Sequence, residues 1–253
     1  MSKDITSMIG KKISKPVKAA TKSVIESDII KKKLDTDILF NFDKHWSTKG
    51  TYLIKNIPKV IEFDSKLVKV AAFDLDGTLI NTKSGNKFAT SASDWKWFNE
   101  YVIPMLKKLQ DYLIVIFTNQ GGVVSKPDSK SYIKFIARLN LIAKELETEQ
   151  IDIRHNLFVY ASPKKPAKET TIHDYHAKMR KPNTGMWEEL KSDLLGYEVD
   201  LEHSFFIGDA AGRKSDFSNS DLLFAKHIGI EFKTPEELFK DNIETSSDQN
   251  EAA

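Results

Sequence analysis

The 253-residue chain is 40% hydrophobic, with 15 Phe and 4 Trp, enough for one domain of ordinary size with tails, or two small domains at most. Its 38 Lys and Arg nearly cancel its 36 Asp and Glu, so bulk charge selects no class of partner. The lack of cysteine excludes disulfides, a thiolate nucleophile and Cys-ligated zinc, and the longest strongly apolar run, Tyr112 to Phe117, is far too short to cross a membrane.

Residues 1 to 45 differ from the rest of the chain. Up to Lys33 nine lysines, among them Lys11-Lys12 and Lys31-Lys32-Lys33, stand against Asp4, Glu26 and Asp28, and no aromatic side chain precedes Phe40. This composition reads as a disordered basic tail, or as a segment serving nuclear import or loose phosphate binding. No signal-peptide core is visible. A folded domain is expected over 46–241, and a polar, frayed tail over 242–253.

Within that domain, short apolar runs alternate with longer amphipathic stretches. The pattern predicts strands over Lys69 to Asp74, Tyr112 to Phe117, Leu157 to Tyr160 and Ser204 to Ile207. It predicts helices over Asp94 to Gln110, Lys130 to Glu149, Thr184 to Leu195 and Ser220 to Lys226. Continuous apolar strands separated by helices argue for an α/β parallel sheet covered on both faces. In such sheets ligands bind beyond the carboxyl ends of the strands. Polar residues come after three of the predicted strands: Asp74 and Asp76, Thr118-Asn119-Gln120, and Gly208-Asp209. They converge on one edge.

The residue types at that edge suit phosphoryl transfer. Two carboxylates two residues apart after a buried strand are costly unless a divalent cation compensates them. Asp74 can attack phosphorus and become an aspartyl-phosphate. Asp76 can protonate the leaving oxygen and then activate water. Asp209 can complete an oxygen shell around Mg2+. The Thr118 hydroxyl and the turn after it can hold phosphate oxygens, and Lys181 supplies a fixed positive charge. Each also has a plainer reading: a surface turn for Asp74 to Thr78, a helix cap for Thr118-Asn119, a solvated lysine, a turn at Asp209. Their joint occurrence in this order, three of them at strand ends, favours a site.

Asp74-x-Asp76-Gly77-Thr78, Thr118, Lys181 and Gly208-Asp209 resemble the four-motif set of the haloacid dehalogenase superfamily of phosphatases. Finer likeness lies in Thr82-Lys83-Ser84-Gly85, Ser93-Asp94-Trp95, Phe117-Thr118-Asn119-Gln120, Arg180-Lys181-Pro182-x-Thr184-Gly185-Met186, Gly208-Asp209-Ala210-Ala211-Gly212-Arg213 and Asp216-Phe217-Ser218-x-x-Asp221. These resemble the phosphatase domain of polynucleotide kinase 3′-phosphatases, from about Trp46 to Phe239. The resemblance implies a Rossmann-like, haloacid dehalogenase-type parallel sheet with helices on both faces and no large cap domain. It implies an aspartyl-phosphate mechanism, with Asp74, Asp76, Thr118 and Lys181 catalytic. Asp74, Asp76 and Asp209 would hold Mg2+, and Thr118, Asn119, Arg180 and Lys181 would bind substrate. The implied substrate is DNA with 3′-phosphate ends at strand breaks, processed in nuclear DNA repair.

The sequence holds no Gly-x-x-x-x-Gly-Lys-Ser/Thr run to cradle ATP phosphates, so a 5′-kinase activity is not expected. Little chain remains for a lid after Thr78 or between Thr118 and Lys181, which leaves the phosphate site open to a bulky substrate. The loop from Ala161 to Asn183 carries Lys164, Lys165, Lys168, Lys178, Arg180 and Lys181, with His173 and His176, against only Glu169 and Asp174. It reads as a surface that tracks a nucleic-acid backbone, or as a solvated charge run. Trp95 and Trp97 are expected in the core rather than as base platforms. Two alternatives stand beside the 3′-phosphatase reading: a small-molecule phosphatase of the same superfamily, and a catalytically silent DNA-end-binding module.

Overall fold

The computed structural model describes residues 42–59, 61–151, 156–167 and 174–240. Of the basic tail expected over 1–45 only 42–45 fall among these, and the polar tail expected over 242–253 lies outside them. After a 3-10 turn at Phe42–Lys44 come strands β1 (Trp46–Lys49), β2 (Leu53–Asn56), β3 (Leu67–Val68), β4 (Val70–Phe73), β5 (Ile80–Asn81) and β6 (Lys96–Trp97). Helix α1 (Val102–Lys108), strand β7 (Leu113–Gln120), helix α2 (Lys130–Thr148) and strand β8 (Leu157–Pro163) come next. The chain continues through α3 (Tyr175–Met179), α4 (Gly185–Asp193), β9 (Glu198–Val199), β10 (Phe205–Ile207), α5 (Ser220–Ile228), β11 (Glu231–Lys233) and α6 (Pro235–Leu238).

The main sheet has seven strands in the order β1-β2-β8-β7-β4-β10-β11. Strands β8, β7, β4, β10 and β11 run parallel; the first four are the strands that the apolar runs predict, and β11 is added at the edge. β4 and β8 are buried throughout, as expected for strands covered on both faces. A hairpin that the sequence pattern did not reveal, β1 and β2, adds antiparallel strands beside β8 and makes the sheet mixed. β1 alternates poorly and is mostly exposed, so it carries no apolar signature.

From β4 the chain steps through α1 to β7 and through α2 to β8, then returns past both to β10 and on to β11. Right-handed crossovers in opposite directions place α1 and α2 on one face and α4 and α5 on the other. On the latter face Trp187, Leu190 and Phe224 pack with Phe117, Phe158, Tyr160 and Phe206 in the main core cluster. Polar strand ends are thereby fixed at one edge by an apolar slab on each side.

The helix expected over Asp94 to Gln110 is only α1. Pro104 lacks an N–H and is tolerated only in a first turn, so the helix begins just before it. Upstream, Ile80 and Asn81 pair instead with Trp97 and Lys96. The Asp94 carboxylate accepts from the backbone and hydroxyls of Thr90 and Ser84, folding residues 82–94 into a tight loop. These bonds, Thr90 foremost, hold its carboxyl well below the usual carboxylate range. Trp95 is buried, and Trp97 donates its indole N–H to Glu145. Among the described residues no inserted domain covers the strand ends, and no helix is long and apolar enough to cross a membrane.

Candidate active site

The Asp74 N–H donates to the Ile207 carbonyl at 2.8 Å, carrying the β4–β10 pairing one residue past the strand. The chain then folds over itself. The Leu75 carbonyl accepts from Leu79 and Ile80 at 3.1 and 3.0 Å, and Gly77 takes φ +87°. That conformation favours glycine, and so does the space: a Cβ at Gly77 would stand 2.6 Å from an Asp209 carboxylate oxygen. At Gly208 a Cβ would collide with the Asp221 carboxylate. Both glycines let backbone close against acids from another element.

Asp74 is 7% exposed, Lys181 3% and Asp221 2%. The Lys181 ammonium donates to Asp74 Oδ1 at 2.7 Å and pairs with Asp221 Oδ1 at 2.8 Å. It is held there by Asn119, whose side-chain amide accepts from the Lys181 N–H and donates to the Lys181 carbonyl, both at 3.0 Å. Asp221, at the start of α5, also accepts from the Ala210 N–H at 3.1 Å. Asp74, Asp209 and Asp221 each present an oxygen within 4.8 Å of the others.

Three carboxylates against one ammonium leave an excess of negative charge. Burial pushes the Asp74 carboxyl up to about 8, with Lys181 opposing and Asp221 and Asp209 adding to it. Burial likewise raises Asp209 to about 6, with Asp221 adding and Lys181 opposing. Burial works against the charge on Lys181, but Asp221 and Asp74 outweigh it and raise its pKa. Hard oxygen donors around uncompensated charge are what Mg2+ or a similar hard cation requires, so these residues fit a metal of that class.

The structure brings together Asp74, Thr118, Lys181 and Asp209, but distributes their neighbours differently from expectation. The side chain of Asp76 stands outside the acidic cluster, so it supplies no carboxylate there. Both its oxygens face other partners: Arg138 at 2.8 and 3.3 Å, and Gln120 at 2.7 Å. The third carboxylate that lies beside those of Asp74 and Asp209 is that of Asp221. The sequence signal was present, because Asp221 lies in the Asp216-Phe217-Ser218-x-x-Asp221 run. Thr118 is fully buried within β7, which extends through Gln120, and its hydroxyl accepts from the Gln120 amide at 2.9 Å. Asn119 uses its amide to set Lys181.

The rim is more open. Among the described residues the Arg180 side chain has no hydrogen-bond or ion-pair partner, and its guanidinium passes above Gly121. Lys164 is exposed, whereas Lys165 pairs with Asp174 at 2.6 Å. Lys168, Glu169 and His173 lie outside the described residues, and the remainder of the Ala161 to Asn183 segment is partly strand β8 and helix α3. Two aromatic side chains stand exposed: Phe88 at 77%, which the sequence pattern gave no reason to single out, and Phe217 at 76%, within the Asp216-Phe217-Ser218 run. The Lys87 ammonium lies 5.7 and 5.8 Å from their ring centres, joining the loop between β5 and β6 to the one that leaves β10.

Residues 69–239 match the family described as polynucleotide kinase 3 phosphatase. The chain is 37% identical over 234 residues to a polynucleotide 3′-phosphatase of Saccharomyces cerevisiae, covering 77% of this chain and 98% of the yeast protein. It is 38% identical over 196 residues to a bifunctional polynucleotide phosphatase/kinase of Schizosaccharomyces pombe, covering 77% of this chain and 42% of that protein. A crystal structure of a haloacid dehalogenase-like phosphatase from Mesorhizobium loti, described as putative, superposes with a TM-score of 0.52 at 18% identity over 72% of this chain and 78% of the other. That last likeness is one of fold.

Proposed function

The chain belongs to the polynucleotide kinase 3 phosphatase family, and on that footing we propose that it is a Mg2+-dependent polynucleotide 3′-phosphatase that clears 3′-phosphates from DNA strand breaks. The observation that carries the chemistry is Asp74, buried at the end of β4 with one oxygen on Lys181 and two further acids beside it. The pair orients the carboxylate and leaves its other oxygen for phosphorus. The Thr118 hydroxyl and Lys181 face the same strand end and suit the non-bridging oxygens. Asp76 gives a proton to the departing sugar oxygen and later takes one from water. Asp74, Asp209 and Asp221 are the residues to hold Mg2+, which when bound supplies the positive charge that phosphate and cluster together lack.

Substrate size is set by what is absent above the site and present at its rim. No inserted domain among the described residues closes over the strand ends, so a polymer end can enter. Arg180 and Lys164 are placed for backbone phosphates, and Phe88 and Phe217 for stacking on bases. A role in DNA repair and a nuclear location complete the reading, the latter supported by the lysine runs near the N-terminus.

The test is phosphate release from an oligonucleotide carrying a 3′-phosphate, with the 5′-phosphorylated oligonucleotide, a metabolite panel and EDTA as controls. Release from the 3′-end alone, abolished by EDTA, is expected. Preference for a metabolite identifies a small-molecule phosphatase, and binding without release identifies an end-binding module.

A further inference from the structure

Arg138 occupies an unusual place for an arginine. On α2 it lies among Phe135, Leu139, Ile142 and Leu146, all buried, and it is itself only 6% exposed. A guanidinium on the apolar face of a helix requires an acid partner. The one it meets among the described residues is Asp76, which it grips with two N–H groups, Nη1 to Oδ1 at 2.8 Å and Nη2 to Oδ2 at 3.3 Å. Its guanidinium lies over the Phe135 ring, 5.9 Å from guanidinium carbon to ring centre. Gln120 donates to the same carboxylate at 2.7 Å and to the Thr118 hydroxyl at 2.9 Å. Asp76 is otherwise solvent-facing, with its side chain 44% exposed, and an exposed aspartate samples several rotamers.

We propose that Arg138 is a positioning residue for the reaction, setting the orientation of the Asp76 carboxyl toward the leaving oxygen and tying it through Gln120 to the phosphate-binding Thr118. This rests on the phosphatase reading above. A fork with two N–H groups fixes the plane of a carboxylate as a single donor cannot. In the first step the bond from phosphorus to the sugar oxygen breaks, that oxygen takes the Asp76 proton, and phosphorus bonds to Asp74. In the second step Asp76 takes a proton from water, the water oxygen bonds to phosphorus, and the Asp74–phosphorus bond breaks. Asp76 ends as it began. Arg138 touches no substrate in either step and acts only through Asp76.

The distinguishing test uses leaving groups. A nitrophenolate departs without a proton, whereas a sugar or glycerol alcohol needs one, and kcat/KM reports only events up to departure of the leaving group. In Arg138→Met, kcat/KM on a 3′-phosphorylated oligonucleotide is expected to fall about a hundredfold, the cost of a misplaced catalytic group. On p-nitrophenyl phosphate it should fall by less than about threefold, since proton donation is not needed there. In an Asp76→Asn background the same substitution should add less than about twofold, because groups acting as one unit are not additive. Equal losses on the two substrates, or an undiminished effect in the Asp76→Asn background, overturn the proposal and leave Arg138 a structural residue. If Arg138→Met does not fold, Arg138→Lys keeps the buried charge without the fork and should show the same contrast at about tenfold. Wild-type rates on both substrates in that variant overturn the proposal as well. Failure of the function reading is seen separately, as wild-type protein that does not turn over the oligonucleotide. Glycerol phosphate then replaces it as the alcohol ester.

Discussion

Two ionic clusters, on different parts of the sheet, differ in one respect. Near β2 and α4, Lys55 donates to Glu189 and to Asp193 at 2.7 to 2.8 Å, Lys49 reaches Glu189 at 2.8 Å, and Tyr160 donates to Asp193 at 2.9 Å. Two ammonium groups meet two carboxylates, and the cluster is balanced. At the strand ends Lys181 alone faces Asp74, Asp209 and Asp221. Protonation tracks the balance. Burial pushes Glu189 up, but the bonds from Lys49 and Lys55 outweigh it and hold its pKa below the ordinary value. For Asp74 and Asp209 burial wins, and both rise. A balanced cluster staples the β1–β2 hairpin to a helix. An unbalanced one suits a ligand that brings the missing charge.

The sharpest way to break this contrast is Asp74→Asn, which preserves shape but removes the attacking oxygen. Turnover should fall by about four orders of magnitude or more, read as phosphate release with the circular dichroism spectrum unchanged. A variant keeping a tenth of the wild-type rate would show that Asp74 is not the nucleophile. Asp209→Asn should cost less, about a hundredfold at fixed Mg2+, with part of the loss recovered as Mg2+ is raised. An activity flat across that titration counts against Asp209 as a ligand.

At the balanced cluster the effect should fall on stability. Glu189→Gln leaves two lysines with one full partner and should destabilise the fold by about 2 kcal/mol, with kcat within about twofold of wild type. Denaturant unfolding measures the first and the phosphatase assay the second, and a selective loss of kcat would erase the distinction between the clusters.

The smallest expected effect separates the two by pH. A carboxyl whose folded pKa is raised stabilises the fold below its unfolded value, and that contribution is lost as pH rises through the folded one. For the metal-free protein this places the loss across about 6 for Asp209 and about 8 for Asp74. Glu189 acts oppositely: its contribution is present above the ordinary carboxylate value and lost as pH falls through its depressed one. Thermal unfolding in EDTA should therefore show Tm declining from pH 5 to 9, at about 2–4 °C per kcal/mol lost. Mg2+ should flatten that decline. A Tm in EDTA that rises over this range contradicts the charge assignment.

Much of the site could be read in the chain because it is local. Asp74, Thr118 and Asp209 lie at or just beyond the ends of apolar runs, and parallel strands bring their carboxyl ends to one edge whatever else the fold does. α2, α4 and α5 were legible from apolar periodicity, and the main parallel strands from runs without polar interruption. The helix over Asp94 to Gln110 failed where a local pattern competed with Pro104 and with the Ser84 and Thr90 donors that claim Asp94. The β1–β2 hairpin was silent because an exposed edge strand needs no apolar alternation.

The sequence by itself determined the order of the chemistry: which carboxylate ends β4, where the lysine comes, and which glycines allow the turns. Only the tertiary structure decided which acids share a charge. Arg138 and Asp76 are separated by 62 residues, and Lys181 and Asp74 by 107. No local pattern records such meetings. The partition of roles between Asp76, turned to Arg138 and Gln120, and Asp221, joined to the acidic cluster, arises where α2 and α5 close on opposite sides of one sheet edge. Burial then makes each pairing matter, since a charge withdrawn from water must find its counterpart in whatever the fold has placed beside it.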